Sequence, residues 1–249
     1  MSEKSKVYQA EGDDPDMLRA YENARATFRY FWREVMWDRN RIVPALGMAM
    51  VKAPFSDGPT ARRKPGVPNV EHMWIDDVDF DGQTVFGTLQ NSPNWLESVQ
   101  AGAAAQFPRA EISDWLYVIG EEAYGAFTVN VLRSRMDKKE RAQHDGMWGL
   151  NFGDPNKPRT APDGEGESPL SKSAAASLQQ ALAKDPKLIA STGHRSWTML
   201  HHHASAGNTT LVKLLLEAGA DVNAKTSEGF TALQIAQVLG WKDIAALLT

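Results

Sequence analysis

Two stretches near the C-terminus, Ser196-Trp-Thr-Met-Leu-His201 and Gly229-Phe-Thr-Ala-Leu-Gln234, carry the same pattern 33 residues apart. The likeness continues beyond them. Ala204-Ser-Ala-Gly207 corresponds to Ala236-Gln-Val-Leu-Gly240, with Gly207 falling on Gly240, and Leu214-Leu215 falls on Leu247-Leu248. A fixed period of this length predicts stacked helix pairs, each too small to bury its own apolar face. Such stacks bind proteins in most known cases, so the repeat points to interaction before chemistry.

Working toward the N-terminus, residues 170–249 read as helical throughout. Ala174 to Leu182 is a good helix former that ends near Asp185-Pro186. Residues 153–169 hold four Pro and three Gly among mixed charges, a composition that reads as a linker. Upstream, the pattern is different. Asp14-Pro15 opens a helix, with Asp as cap and Pro in the first turn. Met17, Tyr21, Ala24, Phe28, Phe31 and Val35 then recur at helical spacing, which predicts a long amphipathic helix to about Asn40.

Short β-like runs follow at Leu46–Pro54, Val70–Phe80 and Thr84–Gln90. The last two are joined by the hairpin signal Asp81-Gly82. Ala103–Pro108 and Glu111–Ile119 read as a further paired couple. The run Phe127-Thr-Val-Asn-Val-Leu132 favours strand by propensity, against helical neighbours, and Asp137 starts a helix. A helix followed by strands without βαβ alternation predicts an α+β domain on an antiparallel sheet. The expected organisation is thus a disordered 1–13, an α+β domain over 14–152, a linker over 153–169 and an all-α array over 170–249.

Composition bounds the chemistry. The 249 residues suffice for two domains, and a net charge of −4 gives no drive toward nucleic acid or anionic membrane. There is no cysteine, which excludes thiolate nucleophiles and zinc–thiolate sites. Met1–Asp16 is polar and lacks an apolar signal core, so a cytoplasmic location is expected.

Residues 170–249 resemble ankyrin repeats. Thr198-Met-Leu-His201 stands where that family has Thr-Pro-Leu-His, and Leu211–Ala224 ends in the family's Gly-Ala-Asp-Val-Asn-Ala. Met199 and Ala232 replace the usual proline, and Gln234 the usual histidine. Ser171–Ile189 looks like a degenerate first repeat, giving about two and a half repeats. The N-terminal half resembles the bacterial YegJ-like family, a domain of unknown function (number 2314). That likeness is carried by Glu71-His-Met-Trp74, Phe86-Gly-Thr-Leu-Gln-Asn-Ser-Pro93, Ile112-Ser-Asp-Trp-Leu-Tyr117 and Gly125–Arg133. It implies a domain but no activity.

The ankyrin resemblance implies where a protein partner would touch: the hairpin tips His194, Arg195, Trp197, Ser227, Glu228 and Phe230, and the inner-helix positions Ser205, Ala206, Val238 and Leu239. Trp197 and Phe230 are equivalent in the register. They would form an apolar ridge, either for a partner or against the chain's own N-terminal domain.

Glu71, His72, Asp114 and Arg133 are the candidate ligand pocket of the other half. An enzyme reading makes Glu71 or His72 a base and Arg133 an anion clamp. The structural reading pairs Asp114 with Arg133. His201-His202-His203 cannot chelate one ion, because consecutive helical residues point about 100° apart; His201 instead occupies a framework position. Arg62-Arg63-Lys64 reads as a solvated loop. No catalytic residue, metal or cofactor is expected. The function read from the sequence is non-catalytic protein binding, in the form of an immunity or regulatory protein. The alternative is an enzyme or small-ligand domain whose partner the repeats recruit.

Overall fold

The computed structural model describes residues 14–58 and 67–249. The polar 1–13 segment and the Arg62-Arg63-Lys64 run lie outside those residues. Asp14 accepts a hydrogen bond from the Asp16 amide at 3.0 Å and so caps α1 (Pro15–Asp38). Six antiparallel strands follow in the order β4-β3-β2-β1-β5-β6. They are β1 (Leu46–Phe55), β2 (Glu71–Phe80), β3 (Thr84–Leu89), β4 (Ala104–Pro108), β5 (Asp114–Ile119) and β6 (Glu122–Gly125). The hairpin over Asp81-Gly82 joins β2 to β3, and the Asp81 carboxylate holds the Gln83 and Thr84 amides at 2.8 and 2.7 Å.

Alternation sorts the strand residues between two layers. Val51, Ala53, Trp115 and Tyr117 face α1, while Met50, Leu116 and Val118 join a smaller cluster on the opposite face. Phe28 and Phe31 of α1 are fully buried. Phe28 meets Phe80 edge-on at 5.7 Å, and Phe31 lies 6.0 Å from Trp115. The Trp115 indole donates to the Ala24 carbonyl at 3.0 Å, which pins the helix to the sheet.

One local expectation is corrected, and one open choice is resolved. β4 pairs with β3 and β5 pairs with β1, so the two expected partners sit on opposite sides of the β1–β2 pair. The apolar run after Gly125, open to strand or helix by sequence, is a helix. β6 ends there, and α2 (Phe127–Ser134) begins with Ala126 in the left-handed region at φ +54°. Gly125 must lack a side chain, because a Cβ would fall 2.2 Å from the Trp115 carbonyl oxygen. α3 (Lys138–Trp148) starts from a capping box made by Asp137 and Glu140.

The repeats comprise α4 (Pro169–Lys184), α5 (Met199–Ser205), α6 (Thr209–Glu217), α7 (Ala232–Leu239) and α8 (Lys242–Leu247). Thr198 with His201, and Thr231 with Gln234, form equivalent capping boxes, so the unusual residues at 199, 232 and 234 leave the turns intact. Leu182 of α4 joins Leu200, Val212, Leu215, Ala236 and Ile244 in one core, which makes the degenerate first repeat part of the stack.

The segment 153–169 is not a loose tether. The Tyr117 hydroxyl donates to the Thr160 carbonyl at 3.0 Å, and the Gly125 amide to the Arg159 carbonyl at 2.7 Å. The fully buried Arg33 donates to the Gly166 carbonyl at 2.7 Å. Glu167 then receives the amide and hydroxyl of Thr210 at 2.5 and 2.9 Å, supplying the first turn of α6 with a carboxylate. These bonds satisfy backbone groups that composition alone would leave to water.

Candidate functional site

The repeat face expected to be free is turned inward. Trp197 is 4% exposed and joins the core formed by α1 and the sheet, together with Ala206 and Leu239. Phe230 and Val238 pack against the same cluster. Gly82 at the β2–β3 turn sits under this ridge. A Cβ there would lie 3.2 Å from the Phe230 ring and 3.3 Å from Ile235. Ser205 is fully buried and accepts from the Trp32 indole at 3.2 Å. Its carbonyl accepts from the Trp241 indole at 2.8 Å.

The tip residues are also occupied. The Arg195 guanidinium lies 4.4 Å from the Phe86 ring centre and binds Asp79 at 3.3 Å and Glu228 at 3.0 Å. Ser227 donates its amide to the Arg195 carbonyl at 2.9 Å and its hydroxyl to Glu228. His194, Ser227 and Glu228 stay exposed at the surface, the His194 side chain at 80%. The ridge of Trp197 and Phe230 is therefore an interdomain contact, the second of the two arrangements that the repeat register leaves open. It also helps so short an array stay folded, since the sheet domain buries apolar side chains on the inner face of the repeats.

The four polar residues of the sheet domain do not converge. Glu71 is buried and receives the Asn94 amide at 3.0 Å and its side-chain amide at 2.5 Å. Asp114 is fully buried. Its Oδ1 accepts from the Trp115 and Phe127 amides, and its Oδ2 from the Thr128 amide and hydroxyl, all within 2.9 Å. This carboxylate nucleates α2. Burial pushes its pKa up, while Lys52, the Thr128 hydroxyl and the backbone donors oppose the shift. Arg133 does not reach it. Its guanidinium grips Asp145 through two bonds of 2.7 Å and Asn130 through one of 2.5 Å, so the expected Asp114–Arg133 pair is replaced by Arg133–Asp145.

His72 alternates onto the other side of β2 from Glu71, as its position predicts. Its ring stacks on Tyr21 at 5.1 Å, and its buried Nδ1 has no partner. Sequence reasoning missed Lys52. In an apolar strand it reads as a solvent-facing residue, yet the register sets it between Trp74 and Asp114. Its ammonium stands 5.2 Å from the Trp74 ring centre and 3.4 Å from the Thr128 hydroxyl. No sequence spacing signals this, because three separate strands and α2 assemble it.

Three histidines stay neutral here. Burial lowers His72, His202 and His203 from 6.5 to about 4, with Lys52 adding to it at His72 and a neighbouring histidine at each of the other two. Between these values the unfolded chain binds protons that the folded chain refuses. Stability is therefore full above pH 6.5 and is lost as the pH falls toward about 4. The expected result is a melting temperature that falls steadily from neutral pH to about pH 4.5, at up to about 1.4 kcal/mol per pH unit for each histidine. A flat profile would show that water reaches these rings.

Both parts of the chain have relatives among known proteins. The profile of a family described as uncharacterized proteins conserved in bacteria (DUF2314) matches residues 14–152. The chain belongs to that family. An ankyrin-repeat profile of three copies matches residues 170–249. A Neisseria meningitidis serogroup B protein named for its ankyrin repeats is 40% identical over 251 aligned positions, spanning 98% of this chain and 97% of its own length. The two-domain arrangement thus recurs across a whole relative. The uncharacterized YegJ protein of Escherichia coli K12 is 32% identical over 90 residues, which are 36% of this chain and 53% of YegJ. A human NAD-capped RNA hydrolase is 38% identical over 73 residues, only 16% of its own length. Ankyrin repeats, here and in the Neisseria relative, indicate a role in protein interaction. Among the described residues, no helix is long and apolar enough to cross a membrane.

Proposed function

We propose that the chain is a non-catalytic protein-binding protein of the bacterial cytoplasm, and that it captures a partner protein in the manner of an immunity or antitoxin protein. One observation carries the choice against an enzyme. Glu71, Asp114 and Arg133 are buried and spend their hydrogen bonds inside the fold, on Asn94, α2 and Asp145 respectively. A catalytic pocket would present them to substrate in an open cavity. The inner repeat face is filled by the sheet domain, so the partner surface lies on the outside of the clasped molecule rather than on the usual concave face. Affinity purification of the intact chain from its native cells, followed by reconstitution with the purified candidate, tests this. A stoichiometric complex with one protein is expected. Turnover of a small molecule with no stable protein complex would overturn the reading.

A further inference from the structure

The sheet is split on one side of its centre. β1 runs from Leu46 and β2 runs on to Phe80, yet their ladder ends at the Val51–Ile75 pair. Each strand remains paired on its other edge, β1 to β5 and β2 to β3. Two irregularities drive them apart at the same level. The β1–β5 register shifts between Leu46 and Met48, and the β2–β3 register shifts between Asp76 and Asp79. Asp77 at the second bulge takes φ +48°, a left-handed conformation that Asp adopts more readily than most residues. Between the diverging strands lies a cleft of about 580 Å³, walled by Leu46–Met50 and by Asp76–Val78, with Asp38 and Arg39 of α1 at its end.

The two walls differ. On β2, the Val78 carbonyl faces the gap but already receives the Arg39 guanidinium at 2.8 Å. On β1, alternation from Val51, which faces Ile75, turns the Ala49 amide and carbonyl into the gap. β1 therefore offers a free edge, the feature that natural sheets otherwise cover or blunt.

The charge of the cleft is acidic. Arg39 is paired with Asp79, and Asp38 with Arg41. Asp76 and Asp77 have no ion-pair partner among the described residues. The Asp76 Oδ1 is shut away from water and accepts no hydrogen bond, although its Oδ2 receives the Gln90 side chain. A buried carboxylate oxygen without a donor is a deficit that a bound group would correct. On the loop that leads into the β1 wall, Ile42 is fully exposed and Val43 is 76% exposed. An alternating segment would set apolar side chains against such residues while its basic ones met the carboxylates.

We propose that this cleft takes an extended, basic segment of a partner protein as an added strand on β1, with a lysine or arginine supplying Asp76. The proposal rests on the protein-binding reading above and names the kind of partner. Backbone bonds to β1 would provide affinity, and the carboxylates would select charge.

The test uses dye-labelled peptides of about six residues, matched to the length of the open edge, titrated into the full chain by fluorescence anisotropy. One alternates lysine and valine, one alternates glutamate and valine, and one is the lysine peptide with N-methyl groups along one backbone edge. The lysine peptide is expected to bind. The glutamate and N-methyl peptides should bind at least about tenfold more weakly, as should the lysine peptide to the Asp76→Asn, Asp77→Asn double variant. Melting curves establish that the variant is folded, and Asp77→Ser with Asp76 retained serves as a second variant if it is not. Absence of lysine-peptide binding to the wild-type chain overturns the proposal, as does equal binding of the N-methyl peptide or equal affinity of the charge variants. A purified partner that binds the double variant unimpaired also overturns the cleft while leaving the protein-binding reading standing. Failure to find any protein complex would remove that reading itself.

Discussion

Replacing Trp197 and Phe230 together by alanine is expected to lower the melting temperature on the order of 10 °C and to free the repeats from the sheet domain. Trp197 is almost completely buried between the two, so its truncation alone should cost about 3–5 kcal/mol. For a chain of this size each kcal/mol shifts the melting temperature by roughly 2–4 °C. Phe230 adds its packing over the Asp81-Gly82 turn. The polar bond across the junction, Trp32 to Ser205, would then be broken, and the Trp241 bond to the Ser205 carbonyl within the repeats would lose its cover. Backbone NMR relaxation is expected to show one tumbling time for the wild type and two for the double variant. An unchanged melting temperature combined with loss of a bound partner would instead show that the ridge serves another molecule.

The repeat stack was legible because its information is local. Thr198 and Thr231 cap the helices they precede, and Gly240 ends α7 in the left-handed region, as its place in the repeat predicts. α1, β1, β2 and β3 were legible for the same reason, through periodicity and one hairpin turn. What escaped depends on residues distant in sequence. The run Phe127–Leu132 prefers strand by propensity, but Asp114 receives its first amides and commits it to helix. β4 and β5 are near neighbours along the chain, yet three strands stand between them in the sheet. Segment 153–169 has the composition of a flexible tether, and Arg33 and Tyr117 nevertheless fasten it through its carbonyls. The 33-residue register identified Trp197 and Phe230 as an apolar pair but carried no information about what would cover them. Of the polar candidates, Asp114 was legible as structural, but its dependence on Thr128 and Lys52 was not.

Asp114→Asn is expected to destabilise the protein while leaving partner binding by the folded fraction intact. Four donors converge on this carboxylate, two on each oxygen. An ionised carboxylate can accept all four, whereas an amide must turn its NH₂ toward either the Thr128 or the Trp115 and Phe127 amides. A buried N–H facing another donor costs about 1–3 kcal/mol. Neutralising a buried charge recovers part of the desolvation cost, but the same change leaves the Lys52 ammonium without its nearest negative group. The balance falls on the side of loss, because the first turn of α2 has no other side-chain cap. Urea unfolding of the two proteins measures the difference, and amide exchange should locate it at Phe127 and Thr128. Lys52→Met in the Asp114→Asn background should restore part of the stability, since it removes the unpaired cation. A variant that kept wild-type stability and lost activity toward a substrate would move Asp114 from the frame of the sheet to the centre of a reaction.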